Sequence, residues 1–349
     1  VSKGSKILYE YLDAGWNLVP PSEPITASDQ LRAIQKERYK IQAEKLENNR
    51  WLRENARDEL ILEKIIEAVN NLKQLDIPDV IPVIHNKREY SLLFGDAHFG
   101  VDFEIKGLFG ETLSKYNPEI FESRMWDLLN KVVDYIRQFQ ITHLNVFEFG
   151  DFSDGILRVS QLMKLRYGVI EGTIYFANFI SNWLNKLSEY TAIEYQMVED
   201  ANHTQLRLLD QPKGTFEKEN TSLFVKELIQ ARLQNNPNFK FVCNPTGMIF
   251  KNICGFNFLG FHGEIKNLEQ AIKDFTKKYN TTIHILSAGH LHHSKSEAVG
   301  LCSDTVNVPS IVGVDPFSFS ISKLSNAGAT ILGIEEGKGK VSEENLKLN

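Results

Sequence analysis

From Ala27 to Leu75 the chain is rich in Gln, Glu, Lys, Arg and Leu and contains no proline. Within it Leu60, Ile61, Ile65, Ala68, Val69 and Leu72 recur at spacings of three and four, which gathers them on one helical face. Ser28 can cap the first turn, because its hydroxyl accepts from amides that have no partner there. The pattern predicts a pair of helices packed on the main domain, or alternatively a dimerisation or partner-docking arm. It lacks a sustained heptad, so a coiled coil is not expected. Residues 1–25, with Gly15-Trp16 and Pro20-Pro21-Ser22-Glu23-Pro24, read as a loose lead-in. Pro78 and Pro82 each disfavour helix before them and mark a linker.

Beyond the linker, strand and helix patterns alternate. Glu89 to Phe94, His143 to Phe149 and Ile193 to Val198 are apolar runs of strand length. Between them lie a helical stripe over Ile120 to Phe139 (Leu128, Leu129, Val132, Val133, Ile136) and a largely helical stretch from Leu157 to Leu187, weakened by Gly168 and Gly172. Ser222 to Leu233 is the next helix. Met248 to Ile253 and Phe256 to Phe261 predict a hairpin around Gly255. A helix over Leu268 to Lys278 precedes strands at Thr282 to Leu286, Thr305 to Val314 and Ala329 to Ile334. This order predicts an α/β sandwich of two mixed sheets flanked by helices, with an N-terminal helical extension. The expected divisions are residues 1–85 for the lead-in and extension, 86–337 for the main domain, and 338–349 for a polar C-terminal tail that frays.

Composition changes this picture little. The 349 residues are 42% hydrophobic and 24% charged, with a formal net charge of −6, as in ordinary globular proteins. Without a global basic field, a nucleic-acid partner needs a local basic patch. Cys243, Cys254 and Cys302 are odd in number and lack tight spacing, so neither a disulfide framework nor a thiolate zinc site is expected. No run of about 18 apolar residues predicts a membrane span, and a cytoplasmic protein is the expectation.

The candidate chemistry lies in short islands, each just beyond an apolar run. They are Gly95-Asp96-Ala97-His98, Gly150-Asp151-Phe152-Ser153-Asp154, Ala201-Asn202-His203, Phe261-His262-Gly263 and Gly289-His290-Leu291-His292. Hard divalent cations take carboxylate, amide and imidazole ligands, and a paired site needs a bridging carboxylate. Strand ends followed by glycine-bounded turns deliver such ligands to one edge of a sheet.

In this order the islands resemble the calcineurin-like metallophosphoesterases. The resemblance covers roughly Glu89 to Glu335 and implies a two-metal site. It implies that Asp96, His98 and His292 bind a first metal, that Asp151 bridges, and that Asn202, His262 and His290 bind a second. His203 would contact phosphate and protonate the leaving oxygen. Two cations lower the pKa of a bridging water and neutralise phosphate oxygens. Mn²⁺ suits these ligands, and Zn²⁺, Fe²⁺ or Ni²⁺ can occupy the same groups.

The chain departs from the family pattern in places. Ala201 stands where glycine is usual, and Thr204 where an acid usually steadies the histidine; Asp200 is a nearby substitute. Gly155 replaces the arginine of the protein-phosphatase branch, and Arg158 reads either as a phosphate contact or as a solvated surface residue. His85, His143, His284 and His293 are expected outside the chemistry. Asp102 and Glu104 read equally as loop residues and as acids behind the site. Asn307 to Phe317 resembles the segment that closes the site in phage-type and break-repair members. The resemblance therefore points first to a DNA nuclease, with Arg158, Lys164, Arg166 and Arg207 as a basic rim. A small-nucleotide or phosphoprotein phosphoesterase is the alternative, and a non-catalytic scaffold a third reading. If the protein is phage-encoded, its compartment is the host cytoplasm.

Overall fold

The computed structural model describes residues 27–72, 88–154, 164–206, 219–263 and 267–348. The chain divides into two compact units, Val1–Leu72 and Lys73–Asn349. Of the first, α1 is one continuous helix, Ala27–Asn70, where a pair was expected. No proline or glycine interrupts it, and such residues are a common cause of a sharp break. Leu31, Ile34, Ile41, Leu46 and Ile66 are exposed on it. The expected lead-in and linker lie outside the described residues.

The second unit is the sandwich. Its first sheet contains β1 (Arg88–Phe94), β4 (His143–Glu148), β5 (Ala192–Met197), β6 (Phe239–Phe241), β12 (Ala327–Glu335) and β13 (Gly339–Leu348). They run in the order β13-β12-β1-β4-β5-β6. β1, β4, β5 and β6 are parallel, and the final two strands antiparallel. The second sheet contains β7 (Ile249–Ile253), β8 (Phe256–His262), β9 (Ile285–Gly289), β10 (Lys295–Gly300) and β11 (Ser303–Asn307), in the order β10-β11-β9-β8-β7. A small hairpin, β2 (Phe103–Lys106) and β3 (Thr112–Tyr116), follows β1; polar and short, it gave no strand signal in the sequence.

The sheets pack face to face. Leu93, Phe147 and Phe149 of the first side meet Ile249, Phe258, Ile285 and Val306 of the second in one buried cluster. The strand period of two turns alternate residues of β8 the other way. Leu259 and Phe261 pack with Ala271 and Ile272 of α5 (Leu268–Tyr279). On the outer face of the first sheet lie α2 (Pro118–Phe139) and α3 (Val169–Leu187), joined by Trp183 Nε1 donating to the Met125 carbonyl at 2.7 Å. Asn117 caps α2 and precedes Pro118 at its first turn, a pairing suited to a helix start. α4 (Thr221–Leu233) packs beside α3.

Three expectations are corrected. The helix over Leu157 to Leu187 begins at Val169 after Gly168; residues 155–163 lie outside the described region, and 164–168 are not helical. The strand expected from Thr305 to Val314 ends at Asn307, and Pro309 cannot donate to a ladder. The fraying tail is β13, pairing along its length with β12. It buries Leu346 and Leu348, and its alternation is masked by the charged residues of its solvent side.

Candidate metal centre

The ends of β1, β4, β8 and β9 converge at one edge of the sandwich, and glycines make the convergence possible. A Cβ on Gly95 would fall 2.8 Å from Phe149 Cβ, and one on Gly289 would fall 3.0 Å from the Phe149 carbonyl and 3.2 Å from Asp96 Oδ2. The two sheets thus approach through the Phe149-Gly150 backbone. Amides of Asp96 and His98 donate to the carbonyls of Gly150 and Asp151 at 3.0 and 2.9 Å, tying the first two islands together. Five of the site residues, Asp96, His98, Asp151, His290 and His292, have φ between 42° and 85°. Left-handed backbone at such residues is strained and clusters at functional sites. No periodicity in the sequence announces it.

Besides a cluster of His98, Asp154 and His203, the two expected ligand sets form among the described residues. In the first, His292 Nε2 lies 3.4 Å and His98 Nε2 4.0 Å from Asp96 Oδ1, with the two imidazole nitrogens 3.2 Å apart. In the second, His262 Nε2 lies 2.9 Å from Asp151 Oδ2 and 2.7 Å from Asn202 Oδ1, and the His290 ring stands 5.1 Å from that of His262. Asp96, His98 and His292, and likewise Asp151, His262 and His290, each offer ligand atoms within 4.8 Å of one another. Asp96 Oδ1 is buried and accepts no hydrogen bond, a costly state for a carboxylate with no cation beside it. The donor set therefore fits hard or borderline divalent cations. Asp96, His98, Asp151, Asn202, His203, His262, His290 and His292 are all brought to this edge.

Backbone contacts orient the ligands. His262 Nδ1 donates to the Phe149 carbonyl at 2.7 Å, leaving Nε2 for the site. The amides of His203 and His290 donate to Asp151 Oδ1 (2.8 Å) and Asp96 Oδ2 (2.9 Å), and fix both carboxylates. Burial is the largest influence on these groups. It pulls His262 and His292 down, yet Asp151 and Asp96 respectively more than offset it, and Asp315 adds to the second case; the rings are pushed up to about 9 and about 10. Burial pushes Asp96 and Asp151 up, but the facing imidazoles hold both below the usual carboxylate range. For His290 burial prevails, assisted by His262, and its pKa falls.

Around His203 the structure revises the sequence reading. Asp154, and not Asp200, faces its Nδ1 in a very short ion pair; Asp200 instead accepts from Gln205 Nε2 at 2.9 Å. Burial lowers the His203 pKa, but Asp151 and Asp154 outweigh it and raise the group. Its Nε2 stays 4.0 Å from Asp151 Oδ2. Ala201 is buried without a left-handed backbone, and its methyl occupies the space beside Gly150: a Cβ there would fall 2.6 Å away. Thr204 Oγ1 donates to the Ala201 carbonyl at 3.1 Å and steadies the turn.

Two acids near the edge were not singled out in the sequence. Glu148 is buried, its Oε1 accepting from the Gly150 amide at 3.0 Å, and burial pushes its pKa up to about 8. Asp315 Oδ2 lies 2.7 Å from His292 Nδ1. Of the expected basic rim, Lys164 is exposed and Arg166 pairs with Glu119 at 2.7 Å; Arg158 and Arg207 lie outside the described residues, as does His85. Glu104 pairs with Lys106 on the exposed side of β2. His284 Nδ1 accepts from the Asn257 amide at 3.0 Å, a structural role. His293 turns back on the Leu291 carbonyl at 2.9 Å. Among the described residues no helix is long and apolar enough to cross a membrane.

Two mixed sheets with histidine, aspartate and asparagine side chains gathered at their strand ends define an α/β sandwich with a candidate metal centre at one edge. Within that class the chain belongs to the YonJ family. It is 31% identical over 324 residues to the SPbeta prophage-derived uncharacterized protein YonJ of Bacillus subtilis (strain 168), covering 90% of this chain and 78% of that one. Residues 31–72 match the family described as the YonJ coiled-coil domain. That description runs against the expectation of no coiled coil, and seams do tolerate polar residues at some positions.

Among solved structures, similarity extends to a dimetal phosphatase from Danio rerio (10% identity, TM-score 0.38, 75% of this chain and 99% of that one). It also extends to wild-type Vps29 complexed with zinc from Entamoeba histolytica (13%, 0.30, 74% and 99%). A putative 5'-nucleotidase from Staphylococcus aureus is similar over 75% of this chain and 54% of its own (12%, 0.37). These superpositions are loose, and the site stands on its own geometry.

Proposed function

We propose that the protein is a two-metal phosphodiester hydrolase with nucleic acid as its leading substrate. The observation that carries this reading is the position of Asp151: its Oδ2 faces His262 of the second ligand set, while its Oδ1 accepts from the His203 amide. In this reading Asp96, His98 and His292 hold a first cation, Asn202, His262 and His290 a second, and Asp151 is shared. Two divalent cations there would supply an acidified water and neutralise phosphate oxygens during in-line attack.

The chain's own residues do the rest. His203 presents Nε2 toward the site and carries the proton destined for the leaving oxygen. Asp154 keeps that proton in place by holding Nδ1, as the ordering of an acid by a second carboxylate requires. Burial of Asp96 and Asp151 excludes bulk water from the ligand atoms, which strengthens their pull on cations.

Support for nucleic acid as substrate comes from the sequence resemblance and from exposed Lys164 beside the first island, where the Asp102 amide donates to the Lys164 carbonyl at 2.9 Å. A second reading, a small phosphoester, is favoured by Arg166, whose charge is engaged by Glu119. End-labelled single- and double-stranded DNA incubated with Mn²⁺, beside a His203→Ala control, separates the two. Cleavage lost in the control supports a nuclease. Intact DNA, with protein that holds two metals, shifts the reading to small phosphoesters.

A further inference from the structure

Between Asn307 and Ala327 the chain crosses the mouth of the ligand edge, and one carboxylate in it does two things at once. Asp315 Oδ1 accepts from the Phe317 and Ser318 amides at 2.6 and 2.8 Å, and Ser318 Oγ answers from the Asp315 amide at 3.0 Å, closing a capping box on α6 (Pro316–Ser320). Its other oxygen, Oδ2, lies 2.7 Å from His292 Nδ1. The side chains are nearly enclosed, 13% exposed for His292 and 15% for Asp315. The segment is held in turn: Ile311 and Val312 amides donate to the carbonyls of Gly95 and Asp96 at 3.0 and 3.3 Å, and Ser114 Oγ donates to the Val314 carbonyl at 2.8 Å. Asp315 therefore cannot swing away without undoing both a helix start and a loop anchored on the first island.

We propose that Asp315 is the positioning residue for His292: it fixes the Nδ1–H tautomer and aims Nε2 at Asp96, and so sets the affinity of the first cation position. This rests on the two-metal reading above. The physical ground is the pairing of tautomers. An imidazole that gives its Nδ1 proton to a carboxylate keeps an Nε2 lone pair for a cation, and such outer partners commonly govern metal affinity. The cap adds precision, because two amides already dictate which way the carboxylate points. No other side chain among the described residues within the site meets His292 Nδ1; His98 and Asp96 both face its Nε2.

Asp315→Asn isolates this role. Asparagine caps helices as well as aspartate does, so Oδ1 keeps the Phe317 and Ser318 amides. Its Nδ2 then faces His292 Nδ1, two donors meet, and the ring must carry its proton on Nε2, where it opposes a cation. The measurement is Mn²⁺ binding by titration calorimetry, with bound Mn²⁺ counted by electron paramagnetic resonance, in the full chain and in the Asp315→Asn and Asp315→Glu variants. The wild type should bind two ions. Asp315→Asn should weaken one of them by about 10- to 100-fold while the metal-free variant stays folded by circular dichroism, and Asp315→Glu should recover part of the loss. Nitrogen-15 shifts of His292 in zinc-loaded protein give a second readout, protonated Nδ1 in the wild type and protonated Nε2 in Asp315→Asn. Two equally tight ions in Asp315→Asn would overturn the assignment alone; a wild type that binds no ion would overturn the two-metal reading and this inference with it.

Discussion

At the scale of single residues, the site pairs opposites in a buried space: Asp96 and Asp151 held low, His262 and His292 held high. In the proposed two-metal reading Asp151 is the group that both ligand sets share, so Asp151→Ala should lose both metals, whereas His203→Ala should keep them and lose turnover. Metal counts by mass spectrometry beside a hydrolysis assay distinguish the two. The metal-free protein should also show a pH signature. His262 and His292 are pushed up to about 9 and about 10 from an ordinary 6.5. Because these values are raised on folding, the stabilisation is complete below 6.5 and is lost as pH climbs through about 9 and 10. Asp96 and Asp151 are depressed from 3.8. Their share is present above that value and is lost as pH falls through their lower folded values. Thermal melting in chelator should therefore be highest from about pH 4 to 6.5 and decline above it. Mn²⁺ affinity should rise over the same alkaline range, because binding displaces those protons. A melting temperature constant from pH 6.5 to 10 would contradict the pairing.

At the scale of elements, strand ends and glycines decide where the chemistry sits. Gly150 has φ 83° and lies against Ala201. Gly150→Ala should destabilise the protein by about 1–2 kcal/mol from left-handed backbone, with a further cost from the methyl contact. Adding Ala201→Gly should relieve the contact and leave the backbone cost, which denaturant titration of the single and double variants can separate. Much of this level was legible in the chain. The apolar runs before Gly95, Gly150 and His262 end where the strands end, because buried strands need continuous apolar residues. The hairpin at Gly255 followed from its turn, with Cys254 and Gly255 both at positive φ. Other features were hidden for physical reasons. β13 alternates charged residues with two buried leucines at its end, so its exposed face reads as a tail. The left-handed turns at Asp96, His98 and His292 come from tertiary contacts across the two sheets and have no local signal. Asp154 stood in the second island, but its hold on His203 required the turn at Asp151 to be known. Asp315 sat in a recognised stretch, and only the folded chain shows that it reaches His292.

At the scale of the whole molecule, the centre belongs to one unit. Every proposed ligand lies between Asp96 and His292, within Lys73–Asn349, and α1 belongs to the other. A chain beginning at Lys73 should accordingly bind the same number of metals as the full chain. Loss of both on this truncation would show that the first unit supports the site. In the proposed reading one aspartate joins two cation positions at the edge of the sandwich. Its most direct test is the number of Mn²⁺ ions bound per chain in wild type and in Asp151→Ala, each confirmed folded by circular dichroism. Two ions in the wild type and none in the variant are expected; two ions retained without Asp151, or never more than one with it, would contradict the account.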